Sequence, residues 1–328
     1  MNESDVLDGK RALVDRYFPV ARAFMAGWVA PSRVAAYAPA SNIVGVGVAE
    51  KVTDNELTGI LSVRIYVREK AGQRKLSRRE RLPSTVAGVP VDVVQAGHIE
   101  ARKQRSDSRR RRIRPVPGGV SCGHDRGTAG TAGCLVRDRK GQGLFILSNN
   151  HVLAQCNEAS PGDSILQPGP MDGGTSQDRI GGLSRFLPLN LGEGINDWDA
   201  ALVEVRQEEA TPEILLLEAL RGQLRPKRDM VVIKHGRTTG KTQGLVEDVN
   251  ADIWVDYANH GYGRFRDTVV IRGSGMTPRF SEAGDSGALI VAETCHKACA
   301  LLFAGSPVLT FANPLAPILR ALRVQLVT

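Results

Sequence analysis

The pattern of apolar and polar residues changes in character along the N-terminal third of the chain. Between Val6 and Trp28 apolar side chains recur at intervals of three and four, which predicts an amphipathic helix that Pro19 kinks or splits. Residues 43–48 and 61–68 then show β-type patterns, and the polar stretch between them predicts a hairpin.

A short charged helix around residues 76–82 and a third strand at residues 89–94 are predicted next. Together with the hairpin they indicate a small α+β domain that spans residues 1–101. This helical and α+β region is expected to be an accessory domain, since it carries no motif that points to chemistry.

From Pro115 onward the pattern consists of short apolar runs separated by Gly, Asp and Asn, which is typical of a β-sandwich or β-barrel. The predicted strands are Gly133–Val136, Gly143–Leu147, Ala200–Val205, Met230–Ile233, Asp252–Val255, Thr268–Ile271, Ala288–Val291 and Ala300–Phe303. At the end of the chain Asn313 is predicted to cap a terminal helix whose first residue is Pro314. Leu315, Ile318 and Leu322 would pack that helix onto the barrel.

The net charge of +8 is concentrated in one segment. Residues 101–114 hold eight Arg or Lys against the single Asp107, so the remainder of the chain is nearly neutral. Because this run has no hydrophobic period and repels itself, residues 102–115 are interpreted as an exposed basic linker between two domains. Two other readings stay open: a nucleic-acid contact and a processing site.

Composition limits the class of protein further. The first residues are acidic where a signal peptide would be basic, and no apolar run reaches membrane-spanning length, so a soluble cytoplasmic protein without a membrane partner is expected. The five cysteines form no paired framework, which suggests free thiols in a reducing compartment. Cys295 and Cys299 lack the second ligand pair of a zinc site.

Three polar motifs of the C-terminal region supply the groups that an acyl-transfer site needs. Ser286 lies in Gly-Asp-Ser-Gly on a predicted tight turn, His151 follows an apolar strand, and Asp199 precedes another. A serine, an imidazole base and a carboxylate that orients the base form a nucleophilic triad. The amides of Gly284 and Ser286 would form the oxyanion hole. Asp197 is the rival of Asp199 for the carboxylate.

The segments Leu-Ser-Asn-Asn-His, Asp-Ala-Ala-Leu and Gly-Asp-Ser-Gly, in that order, resemble the signature segments of the chymotrypsin/trypsin-like serine peptidases. Residues 236–240, Gly-Arg-Thr-Thr-Gly, are similar to a hairpin of the bacterial α-lytic and streptogrisin proteases. The resemblance covers residues 116–328. It implies an all-β protease domain of two six-stranded β-barrels with a C-terminal helix and with the site in the cleft between the barrels.

The resemblance also implies a primary substrate pocket and a chemistry that needs no metal or cofactor. The pocket residues it implies are Phe280, Ala304, Gly305 and Ser306. An uncharged Phe280 would favour apolar or small side chains at the cleavage site. The chain departs from the family pattern in having Asn149 and Asn150 before the histidine. Asp285 is expected to find a local partner rather than a newly formed N-terminal amine.

The hypothesis from sequence is therefore an intracellular bacterial-type serine endopeptidase that acts on proteins or peptides. Its N-terminal domain would gate the cleft, bind a regulatory protein partner or be removed by self-processing. Two alternatives remain: a non-catalytic protease-fold scaffold whose basic segment binds nucleic acid, and an esterase that uses the same triad.

Overall fold

The computed structural model describes residues 3–17, 42–53, 56–70, 82–97, 99, 108–141, 143–274 and 279–328. Its N-terminal elements are α1 (Glu3–Tyr17), β1 (Ile43–Thr53), β2 (Glu56–Val67), β3 (Thr85–Val86) and β4 (Val89–Gln95). The hairpin and the third strand are thus confirmed, with β1 antiparallel and β4 parallel to β2. The first helix ends at Tyr17; its predicted continuation to Trp28 and most of the charged helix at 76–82 lie outside the described residues.

The first barrel is built from short strands. In chain order its described elements are β5 (Val116–Gly118), β6 (Ser121–His124), β7 (Gly130–Thr131), β8 (Cys134–Asp138), β9 (Leu144–Ser148), α2 (Asn150–Leu153), β10 (Ser164–Leu166), β11 (Arg179–Phe186), β12 (Ile195–Asn196), β13 (Ala201–Val205) and β14 (Ala210–Ile214). Strands β8, β9, β13, β11, β10 and β6 are neighbours in that order. They surround an apolar core that includes Val120, Ile146, Ile165 and Val203.

The second barrel uses longer strands. Its elements are β15 (Val231–Gly236), β16 (Gly240–Asp256), β17 (Tyr262–Gly273), β18 (Leu289–Ala292), β19 (Lys297–Gly305), β20 (Leu309–Pro314), α3 (Leu315–Ala321) and β21 (Val324–Leu326). Strands β17, β20, β19, β18, β15 and β16 are hydrogen-bonded in sequence, and β16 pairs again with β17, so six strands of the described chain close on themselves. The expected two-barrel architecture is confirmed.

Helix α3 joins the two barrels. Its buried Leu315, Ile318 and Leu319 pack in one cluster with Leu147 of the first barrel and Leu289 of the second. The terminal helix is confirmed, but its predicted cap is wrong: the helix begins at Leu315 with Pro314 in the capping position, and the Asn313 side chain is used elsewhere. A tertiary contact has taken a residue that local sequence preference assigns to the helix.

The N-terminal strands continue the sheet of the second barrel. Strand β1 pairs with β16 through Val46 and Asp252, and Lys10 of α1 forms an ion pair with Asp252 at 2.9 Å. The buried Asp248 carboxylate accepts hydrogen bonds from the Val48 amide at 2.6 Å and the Tyr66 hydroxyl at 3.4 Å. Burial raises the pKa of Asp248 to about 6. The domain boundary near residue 101 stays a prediction.

The described part of the basic segment differs from an exposed linker. Arg110 is buried, and its Nε lies 3.4 Å from the Arg237 carbonyl oxygen. Arg114 donates to the side chain of Gln167 at 2.5 Å and forms an ion pair with Glu209 at 3.0 Å. These guanidinium groups lie against both barrels because carbonyl and carboxyl groups there can accept their hydrogen bonds. Arg110 and Arg114 therefore differ from the side chains of a solvated linker, whereas Arg111 and Arg112 are exposed, and the linker assignment of the segment stays a prediction.

Short 3₁₀ turns connect several strands. The described ones are Ser108–Arg110, Gln155–Asn157, Pro170–Asp172, Ser176–Asp178, Gln207–Glu209 and Ala258–His260. No helix among the described residues is both long and apolar enough to cross a bilayer.

Candidate active site

His151 and Asp199 form a hydrogen-bonded pair on the first barrel. The imidazole lies in the first turn of α2, and Asp199 lies just before β13, whose register with β9 brings the two segments together. The His151 Nδ1 atom is 2.5 Å from Asp199 Oδ2, and the His151 amide donates to Asp199 Oδ1 at 3.3 Å. The carboxylate thus fixes both the ring and the backbone of the histidine, which leaves Nε2 as the proton acceptor.

The structure separates the two carboxylates that the sequence left as rivals. Asp199 is fully buried and contacts His151, whereas Asp197 is partly exposed and forms an ion pair with Arg266. Residues of both barrels hold Asp199 in place. Its amide donates to Asn313 Oδ1 at 2.9 Å, and its carbonyl oxygen accepts from Asn149 Nδ2 at 2.7 Å.

A third contact to Asp199 comes from the far end of the β16–β17 hairpin. The Tyr257 hydroxyl donates to Asp199 Oδ2 at 2.8 Å, and its ring lies edge-on to the His151 ring at 5.7 Å between centroids. Tyr257 in turn contacts Phe265, which contacts Phe303. A row of buried aromatic rings therefore connects the histidine of the first barrel with strand β19 of the second.

Ser286 lies on the turn that precedes β18. Gly284 and Gly287 both have a φ of +94°, a backbone conformation that residues with a side chain rarely adopt. A Cβ on Gly287 would also lie 2.2 Å from the Ser148 hydroxyl. The Ser286 Oγ donates to the Phe303 carbonyl oxygen at 3.4 Å. Gly130 lies between the two barrels, since a Cβ there would meet both Val152, next to His151, and the Ser286 carbonyl oxygen.

Two amide groups of this turn are available as donors. The N–H groups of Asp285, Gly287 and Ala288 donate to backbone carbonyl oxygens. Those of Gly284 and Ser286 have no acceptor in the described part of the chain. Two unpaired N–H groups, one on each side of Asp285 and both beside a serine hydroxyl, are the arrangement that stabilises an oxyanion.

The side chain of Asp285 holds the Ser286 turn in place. The fully buried carboxylate accepts hydrogen bonds from the Thr238 amide at 2.8 Å, the Thr239 hydroxyl at 2.6 Å and the Glu282 amide at 2.9 Å. Lys234 Nζ lies 3.4 Å away and is equally buried. Burial alone would raise the pKa of Asp285, but Lys234 and the hydrogen bonds outweigh it and hold the pKa below its usual value. The expected local partner is confirmed.

The segment Gly236–Gly240 connects this anchor with the first barrel. The buried Arg237 guanidinium donates to both carboxylate oxygens of Asp172, at 2.5 and 2.6 Å. This bidentate ion pair is of the strong, geometrically specific kind. The Gly-Arg-Thr-Thr-Gly motif therefore has two structural partners: Arg237 contacts the first barrel, and the two threonines hold Asp285.

The four residues predicted for the substrate pocket all belong to the second barrel. Phe280 is buried among Val246, Ile271 and other core residues, and its ring faces Lys234 Nζ at 5.8 Å. Ala304, Gly305 and Ser306 end β19 and its turn, where the Ser306 hydroxyl accepts from the Leu309 amide at 3.1 Å. Their role in substrate binding stays a prediction.

The cysteines are all unpaired thiols. Burial raises the pKa of Cys122, Cys134 and Cys299 to about 12. These thiols are therefore inert side chains of the core and not nucleophiles at neutral pH. No cluster of three metal-ligating side chains occurs among the described residues.

Several solved structures of proteases are similar to this chain at low sequence identity. No family model and no curated protein matches it. Among solved structures, Thermobifida fusca protease A is 20% identical and Nocardiopsis protease 18%, each with a TM-score of 0.47 over 65% of this chain and 98% and 99% of theirs. An α-lytic protease homologue, N4, is 19% identical over 65% and 99%, with a TM-score of 0.45. In this chain the strand pairings close the second barrel through β16 and β17, and the first barrel is an eight-stranded sheet around its own core.

Proposed function

We propose that this chain is a serine endopeptidase whose triad is His151, Asp199 and Ser286. One observation supports the proposal: His151, hydrogen-bonded to the buried Asp199, lies on one barrel, and a turn of the other barrel presents a serine hydroxyl and two unpaired amides, with Gly130 packed between Val152, next to His151, and the Ser286 carbonyl oxygen. A binding scaffold has no need of this combination.

The chemistry follows from the geometry. In the proposed mechanism the Ser286 hydroxyl leaves the Phe303 carbonyl oxygen and gives its proton to His151 Nε2 as Oγ attacks a peptide carbonyl carbon. The amides of Gly284 and Ser286 donate to the oxyanion of the tetrahedral intermediate. His151 then returns the proton to the departing amine, and water hydrolyses the acyl-enzyme by the same steps. Asp199 holds the imidazole in orientation throughout.

The proposal extends to substrate, compartment and organisation. Proteins or peptides with an apolar or small side chain at the cleavage site are the proposed substrates, with Phe280, Ala304, Gly305 and Ser306 near the pocket. Five unpaired thiols support a cytoplasmic compartment. We propose residues 1–101 as a regulatory region and residues 102–115 as the site of any self-cleavage. Nucleic-acid binding has less support because Arg110 and Arg114 are engaged with the protein.

A fluorophosphonate tests the nucleophile directly. Intact-protein mass should show one adduct on the native chain and none on Ser286→Ala. Ser281→Ala is the matched control, because Ser281 is also buried and bonds to Thr310 at 2.6 Å on the same loop. Equal labelling of native and Ser286→Ala proteins would refute the assignment. Parallel assays with a peptide anilide and a simple ester then separate a peptidase from an esterase.

A further inference from the structure

The buried carboxylate of Asp199 receives a hydrogen bond that His151 does not supply. Within the described residues, its side-chain oxygens accept from the His151 amide, from His151 Nδ1 and from the Tyr257 hydroxyl. Two of these donors belong to the residue that Asp199 must orient. Tyr257 is thus the donor that can hold the carboxylate independently of the imidazole.

The tyrosine is suited to this task at every working pH. Its side chain is buried, and burial together with the Asp199 charge raises the pKa of Tyr257 well above its usual value, so the phenol stays a donor. A hydrogen bond to an ionised group in a water-poor site is stronger than one between neutral groups. Loss of the Tyr257 hydrogen bond leaves the buried Asp199 carboxylate with one donor fewer.

The backbone around Tyr257 holds the ring in position. The Tyr257 amide donates to the Gly261 carbonyl at 2.8 Å, and the Asp256 side chain accepts from the Ala258 amide at 2.8 Å. The same hairpin is bonded to the N-terminal region, since the Asp256 amide donates to the Ile99 carbonyl at 3.4 Å. Strand β1 pairs with β16 only a few residues earlier. The hydroxyl therefore reaches the first barrel from a hairpin that is fixed at both of its sides.

We propose that Tyr257 is a positioning residue of the triad: a second-barrel hydroxyl that keeps the Asp199 carboxylate aligned with His151. The proposal rests on the proposed peptidase function, and the N-terminal strands contribute to it by holding the hairpin that carries the tyrosine.

Tyr257→Phe removes the hydroxyl and keeps the ring contacts with His151 and Phe265. We expect kcat/KM for a peptide substrate to fall roughly 10- to 100-fold, mostly in kcat, because the lost bond is one to a charged group. The acid limb of the pH profile should move to higher pH, because an undercompensated Asp199 charge favours the imidazolium. Fluorophosphonate labelling should slow in proportion.

Tyr66→Phe is the matched control. Tyr66 is an equally buried tyrosine whose hydroxyl also contacts a buried carboxylate, Asp248, away from the triad. It should lose comparable stability in urea and keep the native pH profile. An unchanged rate and acid limb in Tyr257→Phe, or an equal loss of activity in Tyr66→Phe, would overturn the proposal.

A measurement that does not depend on turnover separates the proposed peptidase function from the proposed role of Tyr257. The proton that His151 Nδ1 shares with Asp199 gives a downfield NMR resonance in a folded protein. It should shift or broaden in Tyr257→Phe and stay in place in Tyr66→Phe. If the native protein is inactive but the resonance shifts in Tyr257→Phe, the peptidase function is refuted and the positioning role of Tyr257 is kept. If the resonance is unchanged in Tyr257→Phe, only the role of Tyr257 is refuted.

Discussion

The His151–Asp199 pair lies on the first barrel and is held by hydrogen bonds with Tyr257, Asn313 and Asn149, whereas the Ser286 turn lies on the second barrel and is held through the buried Asp285–Lys234 ion pair. Two of the three groups that hold the pair belong to the second barrel. The Ser286 turn is also tied to the first barrel, where the Thr131 hydroxyl donates to the Gly284 carbonyl at 2.8 Å.

This difference has a physical consequence for how each half tolerates change. A buried ion pair leaves an uncompensated charge when one partner is removed, and that cost exceeds the loss of a single hydrogen bond. The Ser286 turn is thus expected to lose its native geometry and most of its stability when one partner of the ion pair is replaced. The alignment of the His151–Asp199 pair should instead weaken in small steps as single hydrogen bonds to Asp199 are removed.

The largest effect is expected at Asp285. Asp285→Ala leaves Lys234 buried without its carboxylate and frees the two threonine amides of the hairpin, so the free energy of unfolding should fall by about 3–5 kcal/mol. Activity should be lost as the oxyanion amides move. Urea unfolding and fluorophosphonate labelling measure both effects.

The double variant Asp285→Ala, Lys234→Met sharpens this test. If the buried charge carries most of the cost, the double variant should regain stability relative to the single one while activity stays lost. A double variant no more stable than Asp285→Ala would show that the hydrogen bonds to Thr238, Thr239 and Glu282 carry the turn instead of the ion pair.

A smaller effect is expected at Asn313. Asn313→Ala removes the acceptor of the Asp199 amide and leaves that buried donor unpaired, which should cost about 1–3 kcal/mol of stability and several-fold in kcat. Asn196→Ala is the control, because this buried asparagine bonds to the backbone of Asn190 and Arg264 and not to the triad. Loss of kcat in both variants alike would mean that the effect is one of stability only.

The smallest effects should occur in the basic segment. Arg112 and Arg114 contact neither the His151–Asp199 pair nor the Ser286 turn. Arg114→Gln removes bonds to Gln167, Asp178 and Glu209, so stability should fall by about 1–2 kcal/mol at unchanged kcat. Arg112 is mostly exposed with one ion pair at 3.6 Å, and Arg112→Gln should change stability by less than about 0.5 kcal/mol. Equal effects would restore the view of the whole segment as a solvated linker.

Much of the fold was predictable because local patterns carried it. The alternating run at 61–68, the apolar strands before His151 and after Ser286, and the terminal apolar stripe of α3 each have a strong period. The strands that pattern analysis missed, such as β6, β7 and β10, are two to four residues long and rich in glycine and serine. Their strand geometry comes from barrel partners and not from their own preference.

The residue types and order of the candidate triad and the two glycines around Ser286 were determined by sequence, because each depends on neighbours within a few positions. The local pattern indicated only a β-sandwich or β-barrel, and the resemblance of the motifs implied the two-barrel class. Only the tertiary structure decided that Asp199 and not Asp197 meets His151, that Asn313 serves Asp199 and not its own helix, and that Lys234 pairs with Asp285. It also brought Tyr257 to Asp199 across 58 positions. These contacts join residues far apart in the chain, some within one barrel and some between the two, and no local period of apolar and polar residues encodes them.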